Sequence, residues 1–486
     1  MSLKKTSFLP GKTGFLPGVL SALLSIFVVL GIISCVSGPP PARGGTESKA
    51  QAEEPARPPG TDDILRDIAE LCEKGDYAGA LVRFDAIDAK DAETDTVRLL
   101  KASVYLSAGN YNEAGNIAGR ISAASPRNTQ PLLIMAAVEQ ARGNVKEQKA
   151  LLNRVLEIEP DNTQALVALG FVAASENAFR TAASYYDKAL AAEPENGEAL
   201  VGRAWVYRNN KDPKNAEKLL SRAALLYPGW VTPIHERARL YKAAGFPREA
   251  LADMDRAKAM NGGDYWIAFD RGDVLVDLNR KPEALEEFER AKKINPDYFL
   301  AYVYTAGIKD DLGDYDGAER DYTILVKLNP DYYFAFEGLG MHFMRKGNWN
   351  GARDAFLEVY RRSEQDTTAY GLLAAMNWMR GGKLSDPRQF LEQVIARAER
   401  NSLEWYMLRL YHDLVGDNDI VIKLDTEKNG DTKARMLYYL ASYYDIRGNR
   451  ALADKYFLMV REMDRRNMLE WRLNEWALES RGLALK

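Results

Sequence analysis

Prolines recur along this chain at a spacing of 34 residues, and that period constrains the fold more than any other feature of the sequence. The prolines stand at Pro126, Pro160, Pro194, Pro228, Pro296 and Pro330, with Gly262 in the one gap. Counting back from them places units at 61, 95, 129, 163, 197, 231, 265, 299 and 333. Position eight of a unit is alanine or glycine except at Ile68, and position twenty is alanine except at Gln148. Because one such unit cannot bury its own apolar faces, the period predicts a stack of repeated units.

The unit that starts at residue 333 shows the fullest pattern. Residues 336–343 read Phe-x2-Leu-Gly-x2-Phe, and Ala352 and Phe356 follow. This pattern resembles the tetratricopeptide repeat, in which two antiparallel helices cross at small residues. The resemblance implies an all-α solenoid, a right-handed superhelix of helix-turn-helix repeats. Large residues are expected beside the crossings at Phe84, Tyr186, Phe288, Tyr322 and Phe356. Left-handed residues are expected to end first helices at Gly75, Gly109, Gly143, Gly245, Gly313 and Gly347.

The register also divides the chain into segments. Nine in-register units are predicted over 61–366, and degenerate units over 367–467. In the degenerate part, Asp386 stands where alanine is expected, and 402–432 loses the second half of the pattern. Residues 468–486 are predicted to form a capping helix and a tail, because the apolar residues of this stretch share one helical face opposite its charges.

The N-terminal residues have the pattern of an export signal. Lysines precede an apolar run over 19–33, which is shorter than the roughly 20 apolar residues of a spanning helix. The run ends in Ile-Ile-Ser-Cys, which resembles the lipobox of bacterial lipoproteins. The resemblance implies a signal peptide over 1–34 and lipidation of Cys35; the alternative is an uncleaved anchor with a chance cysteine. Residues 35–60 are rich in proline and glycine and lack aromatic residues, so they are predicted to be a flexible tether.

Charge and residue types argue against several functions. A formal net charge of -4 gives no basic surface for nucleic acid, so no nucleic-acid partner is expected. With Cys35 modified, Cys72 has no partner for a disulfide within the chain. The histidines His235, His342 and His412 are too scattered to indicate a metal site. No phosphate-binding glycine loop or Gly-x-Ser-x-Gly elbow occurs, and we predict a protein without catalytic residues, metal or cofactor.

The resemblance also implies where partners bind. In tetratricopeptide arrays the first helix of each repeat lines the concave surface, mainly through positions two, five, nine and twelve. Along this chain that stripe holds basic, then apolar, then acidic residues, a combination that suits an extended or helical protein segment. The predicted groove consists of Arg208, His235, Arg239, Lys242, Trp266, Phe269, Asp273, Leu300, Val303, Asp310 and Phe334. Alternatively, the large residues at positions two and five pack against the next repeat, and the sequence leaves both interpretations open.

No repeat has the lysine at position five and asparagine at position nine that chaperone-binding members use, so a receptor for chaperone tails is not expected. We predict a non-catalytic scaffold that is lipid-anchored in a bacterial cell envelope, with the outer membrane favoured over the inner. Its partner is expected to be a protein or peptide segment, and its role that of an adaptor for envelope or cell-wall machinery. The alternative is a surface-exposed adhesin or host-interaction lipoprotein.

Overall fold

The computed structural model describes residues 60–363 and 367–483, and in these residues the regular elements are helices, with no strand. The predicted all-α class is therefore confirmed for this part of the chain. The predicted signal peptide, Cys35 and the tether up to residue 59 lie outside the described residues, as do residues 484–486. The contacts between residues divide the described chain into two units, 60–253 and 254–483.

The unit 60–253 is built from consecutive helix pairs. It begins with α1 (Thr61–Glu73), α2 (Tyr77–Arg83), a 3-10 turn (Phe84–Ala86) and the short α3 (Ala89–Ala92). The following pairs are α4 (Asp95–Ser107) with α5 (Tyr111–Ala124), α6 (Thr129–Ala141) with α7 (Val145–Ile158), α8 (Thr163–Ser175) with α9 (Phe179–Ala192), and α10 (Gly197–Asn209) with α11 (Pro213–Leu226). The last helices are α12 (Val231–Ala243) and the first part of α13 (Pro247–Met260), inside which the unit boundary falls.

The unit 254–483 continues the alternation. Its in-register pairs are α14 (Tyr265–Asp277) with α15 (Lys281–Ile294), α16 (Phe299–Leu312) with α17 (Tyr315–Leu328), and α18 (Phe334–Arg345) with α19 (Trp349–Arg362). The later helices are α20 (Thr367–Gly381), α21 (Arg388–Arg397), α22 (Leu403–Asp413), α23 (Asp417–Thr426), α24 (Gly430–Ile446), α25 (Arg450–Glu462) and α26 (Leu469–Ser480). Helix pairs thus persist through 402–432, where the sequence pattern weakens, although α23 has only 10 residues.

The first helix of each in-register unit ends at a residue in the left-handed conformation. This residue is glycine in six units, with φ between 70 and 82° at Gly75, Gly109, Gly143, Gly245, Gly313 and Gly347. In the other three units the position is held by Asn177, Lys211 and Asn279, with φ of 61, 61 and 57°. The positive φ lets the next amide bond back to the helix, as Asp76 N does to Leu71 O at 2.9 Å. The predicted glycine turns are confirmed.

Three glycines at position eight make room for aromatic rings from the second helix of the same unit. A Cβ placed on Gly170 would lie 2.7 Å from Cε1 of Tyr186, and one on Gly340 would lie 2.7 Å from Cζ of Phe356. The same relationship joins Gly272 to Phe288, with 2.9 Å to Cζ. The rings of Tyr186 and Phe356 are both fully buried. Small residues at the helix crossings therefore fill a packing role, as the sequence pattern predicts.

The last helix, α26, packs against more than the end of the stack. It packs on α24 and α25, and its Leu473 and Leu478 are buried in the hydrophobic cluster of that region. It also contacts α18, and the Trp476 ring lies 5.3 Å from the ring of Tyr315 and 6.0 Å from that of His342. The C-terminal helix of the described chain therefore packs on repeats that are far away in the sequence.

Candidate protein-binding surfaces

A cavity of about 1310 Å³ lies in the unit 60–253. Its walls come from the first turns of α4, α6, α8 and α10 and from the loops that precede these helices. Position two of four consecutive repeats faces it, and the side chains at this position are Thr96, Gln130, Gln164 and Glu198. The cavity is therefore lined by position two, one of the positions predicted to bind partners. It belongs, however, to repeats that lie mostly before the predicted groove in the sequence.

Loops with a repeated set of hydrogen bonds form one edge of the cavity. Glu193 accepts a hydrogen bond from Thr163 Oγ1 at 2.7 Å and another from Asn196 Nδ2 at 3.0 Å. Asn196 in turn accepts a hydrogen bond from the backbone N–H of Ala199 at 3.0 Å and caps α10. The same bonds occur one repeat earlier among Glu159, Thr129, Asn162 and Ala165. Since these donors are neutral, they fix the loops without cancelling the charge of the glutamates.

Glu198 lines this cavity, and one of its carboxylate oxygens is buried. Its Oε1 atom is buried and has no hydrogen-bond partner among the described residues. Burial raises the pKa of Glu198 to about 7. The hydroxyl of Tyr186 is likewise buried without a partner, and burial together with the charge of Glu198 holds the pKa of Tyr186 well above its usual value. Because nearly all buried polar groups in proteins are paired, these two unpaired groups need an explanation.

Two aromatic rings lie against the first turn of α10, which carries Glu198. Tyr227 and Trp230 meet edge to face with centroids 6.0 Å apart, and both line the cavity. They approach Gly197 so closely that a Cβ there would lie 2.8 Å from Tyr227 Cε2 and 2.9 Å from Trp230 Cζ3. The Tyr227 hydroxyl donates to the carbonyl of Glu195 at 2.7 Å, which fixes the ring. The structure thus brings a carboxylate and an aromatic pair to one end of the cavity.

The sequence contains a signal for this site that our sequence analysis missed. Asn128, Asn162 and Asn196 occupy the residue before successive first helices, and each accepts a backbone N–H of its helix. At the next repeat the position is Trp230, which makes no side-chain cap hydrogen bond. Replacing an asparagine cap typically costs about 1 kcal/mol of stability. The break in the asparagine column therefore points to a different role for Trp230.

The predicted basic residues of the groove lie around a glutamate. Nη1 of Arg208 is 2.7 Å from Oε2 of Glu236, and Nη1 of Arg239 is 3.0 Å from its Oε1. Burial alone would raise the pKa of Glu236, but Arg208, Arg239 and His235 together hold it at about 2. His235 is buried and Lys242 is half-buried. Much of the predicted positive charge is therefore balanced inside the protein.

The predicted apolar residues Trp266 and Phe269 belong to the other unit, 254–483. Phe269 is only 7 % exposed, and its ring contacts those of Trp266, Phe288 and Tyr304 at 6.0, 5.4 and 5.3 Å. Trp266 is half-buried and packs against Tyr298 at 5.1 Å. Packing against the neighbouring repeat therefore accounts for Phe269, whereas Trp266 keeps an accessible side.

The remaining predicted residues have several environments. Leu300, Val303 and Phe334 are half-buried, and the Phe334 ring stacks on Tyr333 with centroids 4.3 Å apart. Asp273 accepts a 3.4 Å hydrogen bond from the hydroxyl of Tyr304. The predicted residues found to be involved in packing or internal pairing are Arg208, His235, Arg239, Trp266, Phe269, Asp273, Val303, Asp310 and Phe334.

Asp310 is buried within the unit 254–483. Its Oδ2 accepts a 2.9 Å hydrogen bond from the hydroxyl of Tyr322, and its Oδ1 lies 2.9 Å from Nε2 of His342. These neighbours come from α17 and α18, so the carboxylate joins three helices. Asp310 is therefore placed to hold helices together within the unit.

In the described ranges 60–363 and 367–483, no group of three or more histidine, cysteine, aspartate or glutamate side chains is arranged to hold a metal ion. Across the same ranges, no helix combines the length and the apolar character that crossing a bilayer requires.

Cys72 is half-buried, and burial raises the pKa of its thiol.

Comparison with protein families identifies the repeats. One family model, described as Tetratricopeptide repeat, matches residues 71–138 and 173–235. A second model with the same description matches residues 235–299 and 309–367, and together the matches cover slightly more than half of the chain. The chain belongs to the tetratricopeptide-repeat proteins, whose repeats serve as scaffolds for protein–protein interaction. No curated protein matches it.

Several solved structures are similar to parts of the chain. Cut9 with Hcn1, from an APC/C hetero-tetramer, has a TM-score of 0.46 at 16 % identity over 66 % of this chain and 63 % of that one. A tetratricopeptide repeat protein from Parabacteroides merdae has a TM-score of 0.39 at 17 % identity over 50 % and 96 %. PilF of Pseudomonas aeruginosa has a TM-score of 0.38 at 20 % identity over 46 % and 94 %.

Proposed function

We propose that this protein is a non-catalytic scaffold of the bacterial cell envelope, lipid-anchored through Cys35, that binds a protein segment in the cavity of the unit 60–253. The observation that carries the binding proposal is Glu198, which lines a cavity of about 1310 Å³ and has a buried carboxylate oxygen without a hydrogen-bond partner among the described residues. The same cavity exposes side-chain amides at Gln130 and Gln164, and an amide can both donate to and accept from a peptide backbone. These features suit a polypeptide ligand.

The anchoring part of the proposal rests on the sequence. The lipobox-like end of the apolar run supports lipidation, and the proline-rich residues 36–60 would give the folded repeats reach from the membrane surface. A scaffold that gathers envelope or cell-wall machinery benefits from such reach. Trp266, with its accessible side, is proposed as a second contact surface, in the unit 254–483.

Site-specific photo-crosslinking in cells tests the binding surface. A photoreactive amino acid at Gln164 faces the cavity, whereas the same residue at Leu225 on α11 is 81 % exposed and serves as the matched control. We expect adducts to one defined partner from position 164 and none from position 225. Adducts from 225 alone, or the same adducts from both positions, would contradict the cavity as the binding surface.

Protease treatment of intact cells tests the location. A periplasmic adaptor is protected until the outer membrane is opened, and we expect this result. Removal of the protein from unopened cells would instead favour the surface-exposed adhesin or host-interaction lipoprotein.

A further inference from the structure

We propose that the cavity of the unit 60–253 binds an extended protein segment through a lysine or arginine side chain, which lies between the Glu198 carboxylate and the rings of Tyr227 and Trp230. This inference rests on the proposed function and names the chemistry of the partner. It is carried by three independent features of the site: its charge, its unpaired buried acceptor and its aromatic wall.

The charge of the lining favours a cation. The cavity is lined by the carboxylates Asp95, Asp161, Glu193, Glu195 and Glu198, against one arginine, Arg222. Arg222 is exposed, and the hydrogen bonds that Glu193 accepts come from neutral groups. The cavity therefore carries an excess of negative charge that attracts basic segments and repels acidic ones.

The Glu198 carboxylate, which lines the cavity, supplies the specific contact. Its Oε1 atom has left water without gaining a donor, which disfavours the charged form, and a cationic N–H donor at the carboxylate offsets that cost. A neutral donor would satisfy the geometry but not the charge. The site therefore discriminates lysine and arginine from glutamine, which has a similar length.

The rings of Tyr227 and Trp230 form the other side of the proposed cation site. A cation over the face of a tryptophan or tyrosine ring gains electrostatic attraction, and arginine can also stack on such a ring. Gly197 allows both rings to come next to the helix that carries Glu198, because any larger residue would collide with them. The packing of Tyr227 and Trp230 on Gly197 thus places the cation site at the first turn of α10.

The length of the cavity indicates an extended ligand. Its lining runs across the first turns of four successive first helices, from Thr96 on α4 to Glu198 on α10. Gln130 and Gln164 lie between these ends and offer side-chain amides to a passing backbone. An extended chain can meet all four repeats, whereas one helix would use its own backbone groups internally.

Selection from a random nonapeptide phage library on the full chain tests this inference. We expect enrichment of peptides with lysine or arginine at one fixed position. Synthetic versions of an enriched peptide should bind Glu198→Gln roughly 10–100-fold more weakly, as expected for loss of a charged hydrogen bond. Trp230→Ala should weaken binding and Trp230→Phe should keep most of it. Glu157→Gln, an exposed change on α7, is the matched control and should leave binding unchanged.

Several results would contradict the cation site. Enrichment of acidic or uncharged peptides, no enrichment at all, or equal binding to the chain and to Glu198→Gln would each overturn the cation site. If the photo-crosslink from position 164 to a native partner persists in the presence of the selected basic peptide, the cation inference fails while the scaffold function stands. If the crosslink itself never forms, the proposed binding surface fails.

Discussion

Arg472 of α26 lies beside Asp310 of α16, with Nη1 3.7 Å from Oδ2. Nη2 of the same arginine is 3.6 Å from Oδ1 of Asp311. These residues are far apart in the sequence, but the last helix of the described chain brings them together. Asp310, a residue of the predicted groove, is therefore buried within the unit 254–483, with Arg472 of α26 beside it.

The position of α26 predicts a stability effect. Trp476→Ala removes a half-buried ring that contacts Tyr315 and His342. We expect the unit 254–483 to lose about 1–3 kcal/mol, because aromatic burial and ring contacts are both lost. Urea unfolding and limited proteolysis measure the change, and Glu479→Ala, an exposed substitution on the same helix, is the control. An unchanged midpoint for Trp476→Ala would show that the helix contributes nothing to the unit.

Glu198→Gln has an expected effect that depends on pH. The pKa of Glu198 is about 7 in the folded protein and near 4.5 when unfolded, so the folded state binds more protons between these values. Stability conferred by the native carboxyl therefore falls as pH rises from about 4.5 to 7. The glutamine variant should match the native chain near pH 4 and exceed it by about 1–3 kcal/mol at pH 8.

Thermal unfolding of the Glu198 and Glu157 variants between pH 4 and pH 8 measures this difference. Tyr186 interacts with this carboxyl, and Glu193, Glu195 and Arg222 line the same cavity; the variant leaves all four in place. A pH-independent difference between Glu198→Gln and the native chain would mean that the carboxyl titrates normally.

Glu236 should behave in the opposite way. Despite its burial, Arg208, Arg239 and His235 hold the pKa of Glu236 at about 2, below the value near 4.5 expected when unfolded. Its contribution to stability is therefore complete above pH 4.5 and is lost as the pH falls towards 2. Glu236→Gln should destabilise the protein by about 1–3 kcal/mol at pH 7, with a smaller loss near pH 3. Calorimetry at both pH values measures the difference in unfolding free energy between Glu236→Gln and the native chain. An equal difference at pH 7 and pH 3 would contradict the lowered pKa.

Trp266 and Phe269 are expected to separate binding from packing. Phe269→Ala should cost about 3–5 kcal/mol of stability, because the side chain is buried among other rings. Trp266→Ala should leave most of the stability and weaken capture of the partner by about 2 kcal/mol if this ring is an anchor. Circular-dichroism melts and partner binding are measured together. Normal binding by a folded Trp266→Ala chain would remove this residue from the binding surface.

Cys35→Ser tests the membrane anchor. The lipobox-like sequence Ile-Ile-Ser-Cys predicts that the cysteine carries the lipid, so the serine variant should incorporate no labelled palmitate. It should also leave the membrane fraction or remain unprocessed. Cys72→Ser, which changes the half-buried cysteine of α1, is the control and should be labelled normally. Palmitate labelling of the Cys35 variant would contradict the lipoprotein prediction.

The repeated helix pairs could be predicted from the 34-residue period and the resemblance to tetratricopeptide repeats, because the signals that carry both are local. Glycine at the end of a first helix predicts a turn with positive φ, and a small residue at position eight predicts that two helices cross closely there. Even so, Lys211 takes the left-handed conformation without glycine, because the helices on both sides impose it. The glycine pattern therefore predicted six of these turns and not the one at Lys211.

Which side chains pair with each other, and which line a cavity, could be seen only in the folded structure. Glu236 balances two arginines that sequence analysis assigned to a basic surface, because a partner on a neighbouring turn or helix is invisible to a periodic pattern. The proposed site at Glu198 also depends on residues from the next repeat, because Tyr227 and Trp230 pack on Gly197 and line the same cavity. In the same way, α26 brings Arg472 beside Asp310 through side-chain packing between distant repeats. Period and spacing fix local conformation, whereas burial and charge pairing depend on how separate helices meet.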